Sequence, residues 1–188
     1  EQLALALANL KLRQHLRDLS VRDPLTGLFN RRYLTESLGR EMTRCKRRKL
    51  PLSVMLLDLD HFKIFNDTLG HPAGDTLLVE FAKLLQKSVR NEDIACRLGG
   101  EEFILIMPEM DQEIAIRRAN ELLEATRTLE VMHDGQMLPQ ITTSIGISVF
   151  PDHSTDANQL ISSSDNALYA AKKSGRDRYA IAEKLVAE

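Results

Sequence analysis

Apolar residues fall into strand-like runs and helical stripes along this chain, and their alternation predicts the elements. Over residues 1–20, Leu5, Leu12 and Leu19 recur seven apart with Leu16 between the last two, the a/d pattern of a coiled coil. Asn9 takes a core position in that register, where a buried amide favours a parallel dimer. The competing reading is a helix packed on its own domain or on an upstream one. Asp23-Pro24 stops the pattern, Asn30 is placed to cap a helix running to about Lys49, and Pro51 opens the first long strand. The pattern then predicts strand 52–59, helix 61–69, helix 74–89, strand 93–97, strand 102–107, helix 111–127, strand 141–149, helix 157–173 and a final strand near 178–181. Two helices between the first strands, followed by a central hairpin, imply an α+β fold with a mixed, mainly antiparallel central sheet flanked by helices. The expected division is a linker helix over 1–21 and one globular domain over 22–188.

Composition adds bounds. With 188 residues, 43% of them hydrophobic and 28% charged, the domain can bury one good core. Lys and Arg number 25 against 27 Asp and Glu, and a net charge of -2 argues against a nucleic-acid polymer as partner. Cys45 and Cys96 suggest no disulfide framework, so a reduced, cytoplasmic setting is expected. No stretch is apolar for the length of a membrane span, and the start at Glu1 rather than Met suggests an excised fragment.

Chemistry concentrates in three places. Arg97-Leu98-Gly99-Gly100-Glu101-Glu102-Phe103 sets two adjacent carboxylates on a glycine-opened hairpin tip, where phosphate can approach backbone amides; the plain alternative is an ordinary hairpin decorated with solvated acids. Val54-Met55-Leu56-Leu57-Asp58-Leu59-Asp60-His61-Phe62-Lys63 is an apolar strand ending in two carboxylates that share one strand face, a usual position for Mg²⁺ and phosphate ligands. The polar stretch from Asn66 to Asp75 then offers an amide and a carboxylate suited to a purine edge.

Taken in order and spacing, the Gly-Gly-Glu-Glu-Phe turn, Asp58-Leu59-Asp60-His61-Phe62-Lys63, Asn66-Asp67 and Gly70-His71-Pro72-Ala73-Gly74-Asp75 resemble the GGDEF family of diguanylate cyclases. Arg22-Asp23-Pro24-Leu25-Thr26-Gly27-Leu28-Phe29-Asn30-Arg31-Arg32 and Ala167-Leu168-Tyr169-Ala170-Ala171-Lys172-Lys173-Ser174-Gly175-Arg176 resemble that family's borders, so the resemblance covers Arg22 to Ile181. It implies a fold like the palm of nucleotidyl cyclases and polymerases, and condensation of two GTP into cyclic di-GMP and two pyrophosphates by a homodimer. By the same resemblance Asp58, Glu101 and the backbone carbonyl of Leu59 hold Mg²⁺, with Mn²⁺ as an alternative, while Asn66 and Asp75 read guanine. Lys63, Lys172 and Arg176 bind the triphosphate, the last two lying four apart at the end of the late helix and so on one face. Glu102 favours the attacking 3′-hydroxyl of the partner's nucleotide, as base or through metal-bound water. Asp60 is left with two roles, support of the fold or a second metal position. The first residues also look like the last helix of GAF domains, which implies an upstream sensor.

Arg90-Asn91-Glu92-Asp93 matches the family's Arg-x-x-Asp inhibitory site, which implies that Arg90 and Asp93 bind the product. Arg117 or Arg118 is placed to complete that pocket, whereas the aligned place of a second arginine in some relatives holds Glu121. Other residues carry less. His15, His61, His71, His133 and His153 lack zinc spacing, the run Arg44 to Lys49 reads as a solvated helix end, and Ser144 and Ser148 have no His/Asp nucleophile pattern around them. Two functions of different class remain: a GTP-condensing enzyme, and a receptor that binds cyclic di-GMP without catalysis. A receptor would be expected to lose a carboxylate or a phosphate cation, and none is lost. Adenylyl cyclase or polymerase chemistry is disfavoured by Asn66, Asp75 and the turn.

Overall fold

The run Leu52–Leu59 is apolar in both alternating sets, which leaves a strand only one stable place, the middle of a sheet covered on two sides. The computed structural model describes residues 21–184 and puts it there, with all eight residues buried. The heptad pattern of Leu5, Leu12, Leu16 and Leu19, with Asn9, lies outside the described residues. In chain order the strands are β1 (Phe29–Asn30), β2 (Leu52–Leu59), β3 (Ile94–Gly99), β4 (Glu102–Pro108), β5 (Met132–His133), β6 (Gln136–Met137), β7 (Thr143–Phe150) and β8 (Tyr179–Ile181). The helices are α1 (Arg31–Arg48), α2 (Phe62–Leu69), α3 (His71–Ser88), α4 (Gln112–Arg127) and α5 (Ala157–Lys173).

Six strands form one sheet in the order β1-β3-β4-β2-β7-β8. The four inner strands pair antiparallel, and the short edge strands β1 and β8 pair parallel to β3 and β7. This is the mixed, mainly antiparallel sheet the pattern predicts. Alternation along β2 divides the core. Leu52, Val54 and Leu56 face Leu34, Leu38 and Met42 of α1 and Leu160 and Leu168 of α5, whereas Met55, Leu57 and Leu59 face α2, α3 and α4. Phe81 of α3 meets Phe103 of β4 edge to face, with ring centroids 5.0 Å apart. Each such side chain contributes about 1.5–3 kcal/mol on burial.

Period-2 alternation therefore puts Asp58 on the side covered by α5. That helix lies close to the sheet because Gly146 on β7 has no side chain: a Cβ there would come within 2.0 Å of the Ser164 carbonyl oxygen and 2.4 Å of the Leu168 nitrogen. Lys172, one turn beyond Leu168, is thereby brought over the end of β2.

The predicted cap at Asn30 is observed, and two further helices start on aspartate caps. Asn30 accepts a hydrogen bond from the Tyr33 N–H, Asp111 from Ile114 and Asp156 from Gln159. Three expectations are corrected. Helix α3 begins at His71 rather than residue 74, because Pro72 is pre-set for a first turn and Gly74 sits inside the helix for a packing reason given below. The hairpin β5–β6 was not predicted, although Asp134-Gly135 is a type I′ signature and both residues have positive φ, 48° and 77°. The late helix stops at Lys173, so Arg176 is not on its face with Lys172.

Candidate active site

Between β3 and β4 the register shifts between Arg97 and Gly99, and the tip turns through Gly99 at φ 143° and Gly100 at φ 53°. Both values favour glycine, so the double glycine is a backbone requirement. The turn is held from two sides. Arg97 donates from Nε (3.1 Å) and Nη2 (2.8 Å) to the Gly100 carbonyl, and from Nη1 to Asp23 Oδ1 at 3.1 Å. Asp23 also accepts from the Thr26 N–H at 2.8 Å and the Thr26 hydroxyl at 2.6 Å. Burial pushes the Asp23 carboxyl up, but these hydrogen bonds and the Arg97 charge outweigh it and hold the group below the usual carboxylate value. From the other side, the Leu59 N–H donates to the Glu101 carbonyl at 3.3 Å. Sequence reading missed Arg97 and Asp23 as supports; the signal was an arginine just before a glycine pair whose carbonyl needs a donor.

Asp58 and Glu102 are directly opposite across β2 and β4, so their side chains leave the sheet as neighbours. Asp58 is 7% exposed and bonds Lys172 Nζ at 2.8 Å. Burial pushes the Asp58 carboxyl up, Lys172 pulls it down, and Glu101 and Glu102 push it up again, leaving it above the usual value. Three carboxylates thus sense one another at one strand end, beside one ammonium. Glu101 is half-buried and Glu102 exposed, so the two turn acids face different surroundings.

Asp60 has a different environment. Its Oδ1 accepts from the Ser144 hydroxyl at 2.7 Å, and its Oδ2 from the Thr142 hydroxyl at 2.7 Å and the Asp177 N–H at 3.0 Å. These partners tie the end of β2 to β7 and to the turn after α5. Of its two expected roles, the hydrogen bonds match support of the fold. Ser144, dismissed as a nucleophile, belongs to this network.

Asn66, in the last turn of α2, packs against Gly74 of α3. A Cβ at Gly74 would fall 1.8 Å from Asn66 Oδ1, 2.9 Å from its Cγ and 3.2 Å from Phe62 Cζ. The Oδ1 atom is buried without a hydrogen-bond partner, an unmet acceptor at the helix junction. Asp75 follows Gly74 and is exposed, so the two predicted base-reading residues stand at the same α2–α3 junction. Lys63 is exposed on the first turn of α2. Arg176 lies three residues beyond α5 with left-handed backbone, φ 62°, next to Asp177, whose N–H is bound to Asp60.

The Arg90–Asp93 turn is separate from this centre. The Arg90 N–H donates to Asp93 Oδ2 at 2.9 Å. Burial pushes the Asp93 carboxyl up, and that hydrogen bond with the charges of Arg90 and Arg118 only partly offsets it. Asp93 lines a cleft with Leu105, Met107, Arg118, Glu121 and Leu122. Arg118, not Arg117, is the arginine lining it, and its Nη1 bonds Glu121 at 3.0 Å. Buried His153 accepts the Val149 N–H at Nδ1, and its pKa is lowered chiefly by burial, in keeping with a core histidine rather than a ligand.

Among the described residues no three His, Cys, Asp or Glu side chains form a preformed metal cage. Mg²⁺ does not require one, since it is usually held by one or two carboxylates with substrate phosphates completing the shell. Asp58 and Glu101 supply hard oxygen donors whose mutual repulsion a dication would relieve. The residues fit such an ion. No helix among the described residues is long and apolar enough to cross a membrane.

The family model described as "Diguanylate cyclase, GGDEF domain" matches residues 20–178. The response regulator PleD of Caulobacter vibrioides is 41% identical over 165 residues, covering 87% of this chain and 36% of that protein. The probable diguanylate cyclase DgcT of Escherichia coli is 36% identical over 166 residues, covering 88% of this chain and 36% of that protein. The chain therefore spans about a third of the length of these curated relatives. The coiled coil and GGDEF domain of DgcB from Caulobacter crescentus, solved in complex with c-di-GMP, superposes with a TM-score of 0.85 at 30% identity, covering 96% of this chain and 97% of that one.

Proposed function

Because the chain belongs to the GGDEF family of diguanylate cyclases, we propose that it condenses two GTP into cyclic di-GMP and two pyrophosphates between two copies of the domain. The observation that carries this reading is the convergence at one sheet end: the Glu101-Glu102 turn, tethered through the Leu59 N–H, lies beside buried Asp58 and the Lys172 that bonds it.

In this reading Asp58, Glu101 and the Leu59 carbonyl would hold Mg²⁺ or Mn²⁺, which when bound neutralises triphosphate charge. Lys172, Arg176 and Lys63 hold the outer phosphates, and Asn66 and Asp75 hold guanine. The unmet Oδ1 of Asn66 would gain a donor from the base, whose amine and N1–H also suit the Asp75 carboxylate. Each 3′-hydroxyl attacks the α-phosphorus of the other nucleotide, a P–O bond forms, and pyrophosphate leaves. Glu102, exposed at the start of β4, would meet the partner's 3′-hydroxyl and favour loss of its proton. A single domain holding one GTP cannot close this ring, so a homodimer is required, joined through residues 1–20 and governed by an upstream sensor. Product feedback is assigned to Arg90 and Asp93, supported by the half-buried Asp93 carboxyl in its cleft beside Arg118.

Incubation with GTP and Mg²⁺, followed by chromatography of the products, tests the reading. Cyclic di-GMP and pyrophosphate in a one-to-two ratio are expected. Their absence from a dimeric preparation with GTP bound would leave the receptor reading instead.

A further inference from the structure

Beyond Lys173 the chain makes a turn whose backbone lies in an unfavourable region: Gly175 has φ 115°, Arg176 62° and Asp177 49°. For a residue other than glycine the left-handed region costs roughly 1–2 kcal/mol, so two such residues in succession relax unless their surroundings over-determine them. The Arg176 N–H is bound to the Ala171 carbonyl at 3.1 Å, and the Arg178 carbonyl to the Ile145 N–H at 2.9 Å. Between these anchors, Asp177 is held at every polar group. Its N–H goes to Asp60 at 3.0 Å. Its carboxylate receives Arg127 Nε, 2.9 Å from both oxygens, and its carbonyl receives Arg127 Nη2 at 3.1 Å. Glu124, one turn earlier on α4, bonds Arg127 Nη1 and orients the guanidinium. One side chain at the end of a helix 50 residues away therefore clasps the residue next to Arg176.

We infer that Arg127, through Asp177, is the positioning residue that fixes the direction of Arg176 toward the triphosphate. Arg127 does not act on the nucleotide. It holds the Asp177 peptide so that the preceding residue keeps its left-handed backbone, which sets the direction in which the Arg176 side chain leaves the chain just beyond the helix that carries Lys172. A guanidinium suits this task because its planar fork engages carboxylate and carbonyl together, which an ammonium does not. The inference rests on the reading of Arg176 as a phosphate contact.

The test compares binding of GTP with binding of guanosine, which has the base and no phosphates, by calorimetry on the full chain. In Arg127→Ala, GTP affinity should fall about tenfold, as expected for a charge-assisted contact, with guanosine affinity unchanged. Arg176→Ala should do the same, and Arg127→Ala/Arg176→Ala should be no worse than Arg176→Ala alone, because one residue acts through the other. Arg127→Lys and Asp177→Asn, which keep α4 and tolerate the turn, should give smaller losses in the same ratio. Equal loss of GTP and guanosine binding in Arg127→Ala, or effects of the two arginines that multiply, would overturn the inference. If Arg176→Ala itself leaves the ratio unchanged, the phosphate reading of Arg176 fails first. If it lowers the ratio and Arg127→Ala does not, only the positioning role fails.

Discussion

Replacing Gly74 with alanine separates two forces that normally agree. In a helix interior alanine is favoured over glycine by about 1 kcal/mol, so Gly74→Ala should stabilise α3 if only the backbone mattered. The added Cβ, however, would lie 1.8 Å from Asn66 Oδ1 and 3.2 Å from Phe62 Cζ. No real contact is that short, so the amide must leave its place. Overpacking of this kind costs about 1–3 kcal/mol, which leaves a net destabilisation of about 0–2 kcal/mol in urea unfolding. The functional effect is independent: with Asn66 displaced, a base hydrogen bond worth about 1 kcal/mol is lost, and GTP binding should weaken about five- to tenfold. Asn66→Ala should weaken GTP binding to the same extent, and Asn66→Ala/Gly74→Ala should bind no worse than Asn66→Ala while regaining stability. A Gly74→Ala protein that is more stable than the parent and binds GTP equally well refutes both the packing and the base contact.

Other expectations follow from the same geometry. Glu102→Gln should lower turnover by about 10²–10⁴ with GTP affinity retained, read by pyrophosphate release and calorimetry; near-normal turnover removes this carboxylate from the mechanism. Arg90→Ala should weaken cyclic di-GMP binding about tenfold or more and relieve inhibition, and unchanged affinity would make that turn a solvated helix end. The Asp58 pKa is raised on folding, so its contribution to stability is present at acid pH and lost as pH rises through the raised value. Asp58→Asn should therefore be at least as stable as the parent at neutral pH while losing activity, and the parent's Mg²⁺ requirement should rise as pH falls toward that value; marked destabilisation of Asp58→Asn at pH 7 contradicts this. Deleting residues 1–20 should give a folded domain that binds GTP but whose specific activity rises with protein concentration, since tethering supplies about millimolar effective concentration. Activity equal to the parent at every dilution would exclude the tether.

Much of the site was legible in the chain itself. Asp58, Glu101, Glu102, Asn66 and Asp75 stand in local motifs, and the short-range requirements of those motifs, an apolar strand ending in acid or a glycine pair at a tip, are written in adjacent residues. Gly74 was legible only as punctuation, because its reason for being glycine is a contact with Asn66 on another helix. Arg176 was misread as part of a helical face although the predicted helix ends at Lys173, because the left-handed turn that carries it away is set by contacts with distant residues.

By itself the sequence determined the order of the long strands and helices, the cap at Asn30, and the residue types proposed for metal, phosphate and base. These depend on hydrophobic period and local backbone chemistry, which act over a few positions. Only the tertiary structure decided that Lys172 reaches Asp58, that Asp60 spends its oxygens on Ser144, Thr142 and Asp177, and that Arg97 and Asp23 brace the glycine turn. These contacts span up to 117 residues. They arise because burying both faces of β2 draws α5 and the β3–β4 tip to the same strand end, and a polar group buried there must find whichever partner the packing brings.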